Sequence, residues 1–173
     1  MSLFTIPKNA HYASIRLGFM GFKSYDGRNP MKGTFRLSKS MWYDTATYGT
    51  HINKLCGFST DILSENSTRI GWRPHEVPFT YEMYAYLHIN GVWVRSTRLK
   101  DDLINVCYAD QDYDWENGFW QPEINRIRIG AGTVERHYPG TIGKGWVQEF
   151  YYGGKPKSPQ VMSAIISGKE YDF

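Results

Sequence analysis

The segment 80–99 constrains this chain most: Asn90-Gly91 interrupts two runs in which apolar and polar residues alternate. Both turn residues tolerate positive φ, so the pair suits a type I′ turn, and the alternation predicts two antiparallel strands joined by a two-residue connection. With Ile89 opposite Val92, Leu87 would face Val94 and Ala85 would face Ser96. Tyr81 and Met83 continue that face, which is apolar enough to belong in a core. The opposite face carries Glu82, Tyr84, Tyr86 and His88 on the first strand, with Trp93 and Arg95 on the second. A lone hairpin is not stable in water, so the rest of the chain must supply more sheet.

It does so with the same period of two. Ile15, Leu17 and Phe19 alternate with Arg16, Gly18 and Met20, and Phe35 and Leu37 alternate with Thr34 and Arg36. Further strands are expected over 52–58 and 69–73. Ile127 and Ile129 alternate with Arg126 and Arg128, and Gly130-Ala131-Gly132 turns the chain into a strand over 133–138 as a second hairpin. The stretch 145–152 reads as another strand. Gly153-Gly154, Pro156 and Pro159 end it, and the β-branched pair Ile165-Ile166 assigns 161–166 to a strand rather than a helix. The excess of aromatics, Tyr 13, Phe 9 and Trp 6, suits half-buried pleated surfaces. About ten short strands spaced by turn residues predict an all-β fold, an antiparallel β-sandwich or jelly roll. The 173 residues match one domain, placed at 11–173 behind an N-terminal arm, 1–10. Surface loops are expected over 59–67 and 109–122.

Several function classes find no support. The charge of +3 is modest and its Lys and Arg are scattered, which argues against nucleic acid as a partner. No apolar run reaches the length of a membrane span, and the first residues lack the pattern of a secretory signal. Cys56 and Cys107 are too few for a disulfide framework and read as two buried thiols in strands. The histidines His11, His51, His75, His88 and His137 are dispersed, without zinc-site spacing. There is no nucleophile elbow, no phosphate loop and no pair of acids two or four apart within an apolar strand, as a sandwich glycosidase would need. The acids Asp110, Asp112, Asp114 and Glu116 share a parity and make the first three candidate calcium ligands. As an EF-hand the run fails, since Trp115 stands where Gly is required and Gln121 where the bidentate Glu is required. No cofactor is expected.

Four phrases carry a family resemblance. They are His51-Ile52-Asn53-Lys54-Leu55-Cys56-Gly57-Phe58-Ser59, Asn66-Ser67-Thr68-Arg69-Ile70-Gly71-Trp72-Arg73, Tyr84-Ala85-Tyr86-Leu87-His88-Ile89-Asn90-Gly91-Val92 and Tyr151-Tyr152-Gly153-Gly154-Lys155-Pro156-Lys157-Ser158-Pro159. Over most of the chain the sequence resembles a group of lectin-like β-sandwich proteins found in Bacteroidales and in the crAss-like tailed phages that infect them. The resemblance implies a lectin-like or concanavalin-like jelly roll. Polysaccharide lyases and laminarinases belong to the wider fold, but their catalytic signatures match no positions here.

Three functions follow as expectations. The first is a non-enzymatic virion protein, an auxiliary or decoration protein of a phage capsid, made in the host cytoplasm without a signal peptide and partnered by the major capsid protein or other virion proteins. Its arm would anchor on a neighbour through Leu3, Phe4 and Ile6. The alternative is a carbohydrate-binding module that stacks glycans on a surface of Tyr84, Tyr86, His88, Trp93 and Arg95. The third is a polysaccharide lyase-like enzyme, which needs a base beside a charge-neutralising group.

Overall fold

The computed structural model describes residues 2–13, 24–26, 31–59, 65–98, 106–120, 124–129, 132–137, 144–148 and 150–168. Its strands in chain order are β1 (Ser2–Ile6), β2 (Ser24–Asp26), β3 (Met31–Leu37), β4 (Asn53–Ser59), β5 (Ser67–Pro74), β6 (Thr80–Ile89), β7 (Val92–Arg98), β8 (Val106–Tyr108), β9 (Asp112–Trp120), β10 (Ile124–Ile129), β11 (Gly132–His137), β12 (Lys144–Gln148) and β13 (Met162–Ile166). Among the described residues, a 3-10 turn spans Lys39–Met41 and one turn of α-helix, α1 (Thr45–Tyr48), is capped by the Asp44 carboxylate, which accepts from the Ala46 amide. No described helix is long and apolar enough to cross a membrane.

Antiparallel pairing sorts these strands into two sheets. One has the order β1-β13-β3-β9-β10-β11 and the other β2-β12-β4-β5-β6-β7, with β8 on the edge of β6 beyond the end of β7. The sheets bury their facing surfaces, as the alternation demands. Phe35, Leu37 and Ile166 come from the first sheet, and Ile70, Trp72 and Met83 from the second, all at most 1% exposed. Trp72 anchors the interior, with its ring centroid 6.2 Å from that of Phe150 and 5.8 Å from that of Tyr81. The Tyr81 hydroxyl donates to the Ser38 carbonyl at 2.7 Å, which satisfies the polar end of a buried ring. One polar clasp crosses between sheets: Thr68 Oγ1 donates to Asn117 Oδ1 at 3.1 Å, and Asn117 Nδ2 donates to the Thr68 carbonyl at 3.0 Å.

The all-β sandwich expected from the sequence is therefore present, and 162–166 is a strand. Cys56 and Cys107 are free, buried thiols in β4 and β8; burial pushes the Cys107 thiol up to about 12. The strand expected around Ile15–Phe19 lies outside the described residues, as do most of the 59–67 loop and the turn at 130–131.

Three expectations are corrected. Residues 112–120 are not a surface loop but strand β9, internal to its sheet between β3 and β10. Its apolar parity is hidden because the inward positions read Tyr113, Trp115 and Asn117, the last a polar residue buried by its bonds to Thr68. The hairpin keeps Ile89 opposite Val92 but carries a bulge, so Leu87 pairs with Arg95 and Ala85 with Thr97 rather than with Val94 and Ser96. Finally, 2–6 is not a free arm. Ser2 to Ile6 pair with Ile166 to Met162, Ile6 is fully buried and Phe4 packs against the core, which leaves Leu3 as the exposed member of the three proposed anchors.

Candidate functional site

Alternation places Ile70, Trp72, Met83, Ala85 and Leu87 in the core, so their neighbours on β5 and β6 must share the outer face of the second sheet. Cross-strand register sets Arg69 opposite Tyr86, Gly71 opposite Tyr84 and Arg73 opposite Glu82. On the other side of β5, Lys54 stands opposite Gly71. Tyr151 is bridged to β4 by reciprocal backbone bonds with Lys54, each 2.9 Å.

Glycines make room for this arrangement. A Cβ on Gly71 would meet Ile52 Cγ2 at 2.6 Å and Tyr84 Cβ at 3.3 Å. One on Gly153 would meet the Ile52 carbonyl oxygen at 2.3 Å and Lys54 Nζ at 3.0 Å. Gly153 must stay bare for Lys54 to lie along the sheet, where its Nζ donates to the Ile52 carbonyl at 2.9 Å.

The result is a lattice of cations over tyrosine rings. Lys54 Nζ is 4.1 Å from the Tyr86 centroid and 5.5 Å from that of Tyr151, and Arg69 Cζ is 5.3 Å from Tyr86. The Tyr86 hydroxyl and His88 Nε2 are hydrogen-bonded at 3.1 Å. Tyr12, itself 39% exposed, lies 5.0 Å from Tyr151, centroid to centroid, and extends the aromatic surface toward solvent. Toward the other end of β6, Arg73 Cζ is 5.3 Å from the Tyr84 ring, and Glu82 accepts from Arg73 Nε at 2.6 Å and from the Tyr84 hydroxyl. Beside this ion pair is a cleft of about 330 Å³ lined by Thr45, Thr50, Arg73, His75, Glu76 and Glu82.

Burial gives the lysine its character. It is 7% exposed, and loss of water, followed by the charge of Arg69, holds its ammonium down to about 7. Burial also raises the Tyr86 and Tyr151 hydroxyls above their ordinary value. Cations over ring faces stabilise the pair most where water is excluded, and rings with polar edges are surfaces on which sugar rings stack.

Of the residues expected from the sequence, Tyr84, Tyr86 and His88 do share this face, but Tyr84 is buried at 6% exposure and the other two are half-buried. The backbone of Trp93 pairs with His88, whereas that of Arg95 is opposite Leu87 because of the bulge. The acids do not gather as a calcium loop. Asp112 is held by both Arg36 Nε and Nη2 at 2.8 Å, Asp110 lies 4.0 Å from Lys39, and Asp114 is exposed on β9. Among the described residues no group of three His, Cys, Asp or Glu is placed to hold a metal ion. Sequence reasoning missed Lys54, Arg69 and Tyr151. For Arg69 the available signal was its parity opposite Ile70 and Trp72; at Lys54 a bulge before Cys56 buries both Leu55 and Cys56, so parity carried no signal there.

No protein-family model matches the sequence, and no curated protein matches it. Solved structures do match in shape. The chain is similar to an alginate lyase from Pseudomonas aeruginosa, with a TM-score of 0.54 at 12% identity, covering 83% of this chain and 66% of that one. It is also similar to a homodimeric agglutinin from chicken liver, with a TM-score of 0.46 at 9% identity, covering 90% and 98%. A carbohydrate-binding module from Bacillus subtilis matches with a TM-score of 0.39 at 7% identity, covering 86% and 74%. At 12% identity the likeness to the lyase shows the fold alone, a β-sandwich.

Proposed function

We propose that this chain is a carbohydrate-binding module whose glycan lies across the outer face of the second sheet. The observation that carries this reading is the convergence of Tyr86, Tyr151 and Tyr12 with Lys54 and Arg69 on one surface, where rings offer stacking faces and cations offer hydrogen-bond donors. The shared fold with an alginate lyase is compatible with it. A virion attachment role would draw on the 2–6 segment, but that segment is committed to its own sheet.

Binding without turnover is the form of the proposal. Isothermal titration and a glycan array with the intact chain and with Tyr86→Ala and Tyr151→Ala test it. The wild type retains one or more glycans, and each variant loses affinity while keeping a cooperative melt. Wild-type silence across the array would refute it, and release of unsaturated products from a uronate polymer would replace it with a lyase.

A further inference from the structure

The cleft of about 330 Å³ at the other end of β6 from His88 is polar on every side, with Thr45, Thr50, Arg73, His75, Glu76 and Glu82 around it. Glu82 precedes Tyr86 on β6 by a distance of about 13 Å at the rise of a strand, so the cleft is separate from the Tyr86 surface. Its guanidinium is held still by the fold. Arg73 and Glu82 are cross-strand partners, and Arg73 Nε donates to the Glu82 carboxylate at 2.6 Å. The same guanidinium lies 5.3 Å from the centre of the Tyr84 ring, whose hydroxyl also donates to Glu82. Nε and one face of the plane are thereby committed, whereas Arg73 Nη1 and Nη2 have no hydrogen-bond partner among the described residues. A planar fork fixed at one edge presents the other without further loss of side-chain freedom.

The wall beside it is fixed as well. The His75 amide donates to the Thr80 carbonyl at 2.9 Å, and the His75 carbonyl accepts from Trp42 Nε1 at 3.0 Å. The Val77 amide donates to His75 Nδ1 at 3.2 Å, which puts the proton of the neutral imidazole on Nε2 and makes that nitrogen a donor. Thr45 and Thr50 add hydroxyls, and Glu76 adds an exposed carboxylate. Charge then selects the ligand. Glu82 offsets Arg73, and Glu76 leaves the lining negative, so an anion meets carboxylates while a cation meets the guanidinium. A neutral hydroxyl suits both kinds of neighbour, because it donates and accepts at once.

Resting on the glycan-binding reading, we propose that this cleft is a second subsite, which takes one neutral sugar residue of the glycan by adjacent hydroxyl groups, with Arg73 and His75 as donors and Glu76 as acceptor. Uronates and amino sugars are disfavoured there by the carboxylates and the guanidinium respectively.

NMR titration of the isotopically labelled intact chain with glucose, galactose, mannose, glucuronate and glucosamine tests this. At least one neutral sugar is expected to shift the resonances of Thr45, Thr50, Arg73 and His75, and to bind roughly tenfold or more tightly than glucuronate or glucosamine. Arg73→Lys, which keeps the charge and loses the fork, should weaken that binding roughly tenfold. Glu76→Ala alters an exposed position, so it should leave the melting temperature unchanged and weaken the neutral sugar too, which keeps the test decisive if Arg73→Lys fails to fold. Tyr86→Ala should leave the shifts at the cleft in place. Shifts confined to the surroundings of Tyr86 and Tyr151 overturn the subsite and leave glycan binding standing. Glucuronate bound as tightly as the neutral sugars, or Glu76→Ala without effect, also overturns it. Absence of any shift with all five sugars overturns it as well, and the glycan array with the intact chain then decides separately whether the glycan reading falls.

Discussion

Lys54 Nζ lies 4.1 Å from the centre of the Tyr86 ring, with its hydrogen bond given to the Ile52 carbonyl rather than to a carboxylate. An ammonium so placed makes its own protonation a burden on the fold. Its folded value, about 7, is below the ordinary 10.5, so the unfolded chain binds more protons between those values. The penalty is full below about pH 7 and fades as pH rises toward 10. Lys54→Met should accordingly stabilise the chain at pH 6 by on the order of 2–4 kcal/mol, less whatever cation–π contact is lost, and the gain should shrink by pH 10. Chemical denaturation of both proteins across this range checks the sign; a gain that grows with pH would contradict it.

Gly153→Ala tests whether the Tyr151 segment is seated as described. The new methyl would meet the Ile52 carbonyl oxygen at 2.3 Å and Lys54 Nζ at 3.0 Å, so the 151–153 backbone must lift from β4. A loss of about 1–3 kcal/mol in stability is expected, together with weaker glycan binding. Calorimetric melting and titration of the same sample report both.

Asn117 and Thr68 bind the two sheets where most of the interior is apolar. Asn117→Ala strips the Thr68 carbonyl and hydroxyl of that partner in a fully buried place, at a cost of about 1–3 kcal/mol from the polar groups alone. A melting temperature unchanged from wild type would show the clasp to be dispensable.

Removal of residues 1–6 should damage the fold, contrary to the behaviour of a detachable arm. Ile6 leaves a core cavity and β13 loses its outer neighbour along five paired positions. The truncated chain should lose more than about 3 kcal/mol and show broadened amide spectra.

Asp112 is already gripped at both oxygens by Arg36 on the solvent face of β9. Calcium added to the folded protein should leave its melting temperature where it was. An upward shift lost in Asp112→Ala would restore the acids as an ion site.

The sandwich was legible because its strands obey a period of two: β3, β5 and β6 alternate so regularly that Phe35, Ile70 and Met83 announce the buried face. β9 was hidden for the opposite reason, since Asn117 satisfies a core position through hydrogen bonds that no hydrophobic pattern records. The bulge in the hairpin lies between Leu87 and His88, where apolar and polar residues still alternate, so the backbone pairing of Leu87 with Arg95 has no local sign. Half of the candidate site was visible, because Tyr84, Tyr86 and His88 lie on one strand. The remainder depends on strand order: Lys54, Arg69 and Tyr151 become neighbours of Tyr86 only when β4, β5 and β6 lie side by side and Tyr151 is pinned to β4.

The pairing of Ser2–Ile6 with Met162–Ile166 also sets a timetable for biosynthesis. A ribosome must release nearly all of these residues before β1 can meet its partner, so β1 waits unpaired until β13 has emerged. Loop closure over that distance is slow, and until it happens a hydrophobic edge headed by Phe4 and Ile6 is open to other chains. Crowded expression should therefore favour aggregation of the nascent form, and slower synthesis or chaperone capture should raise the yield of soluble protein.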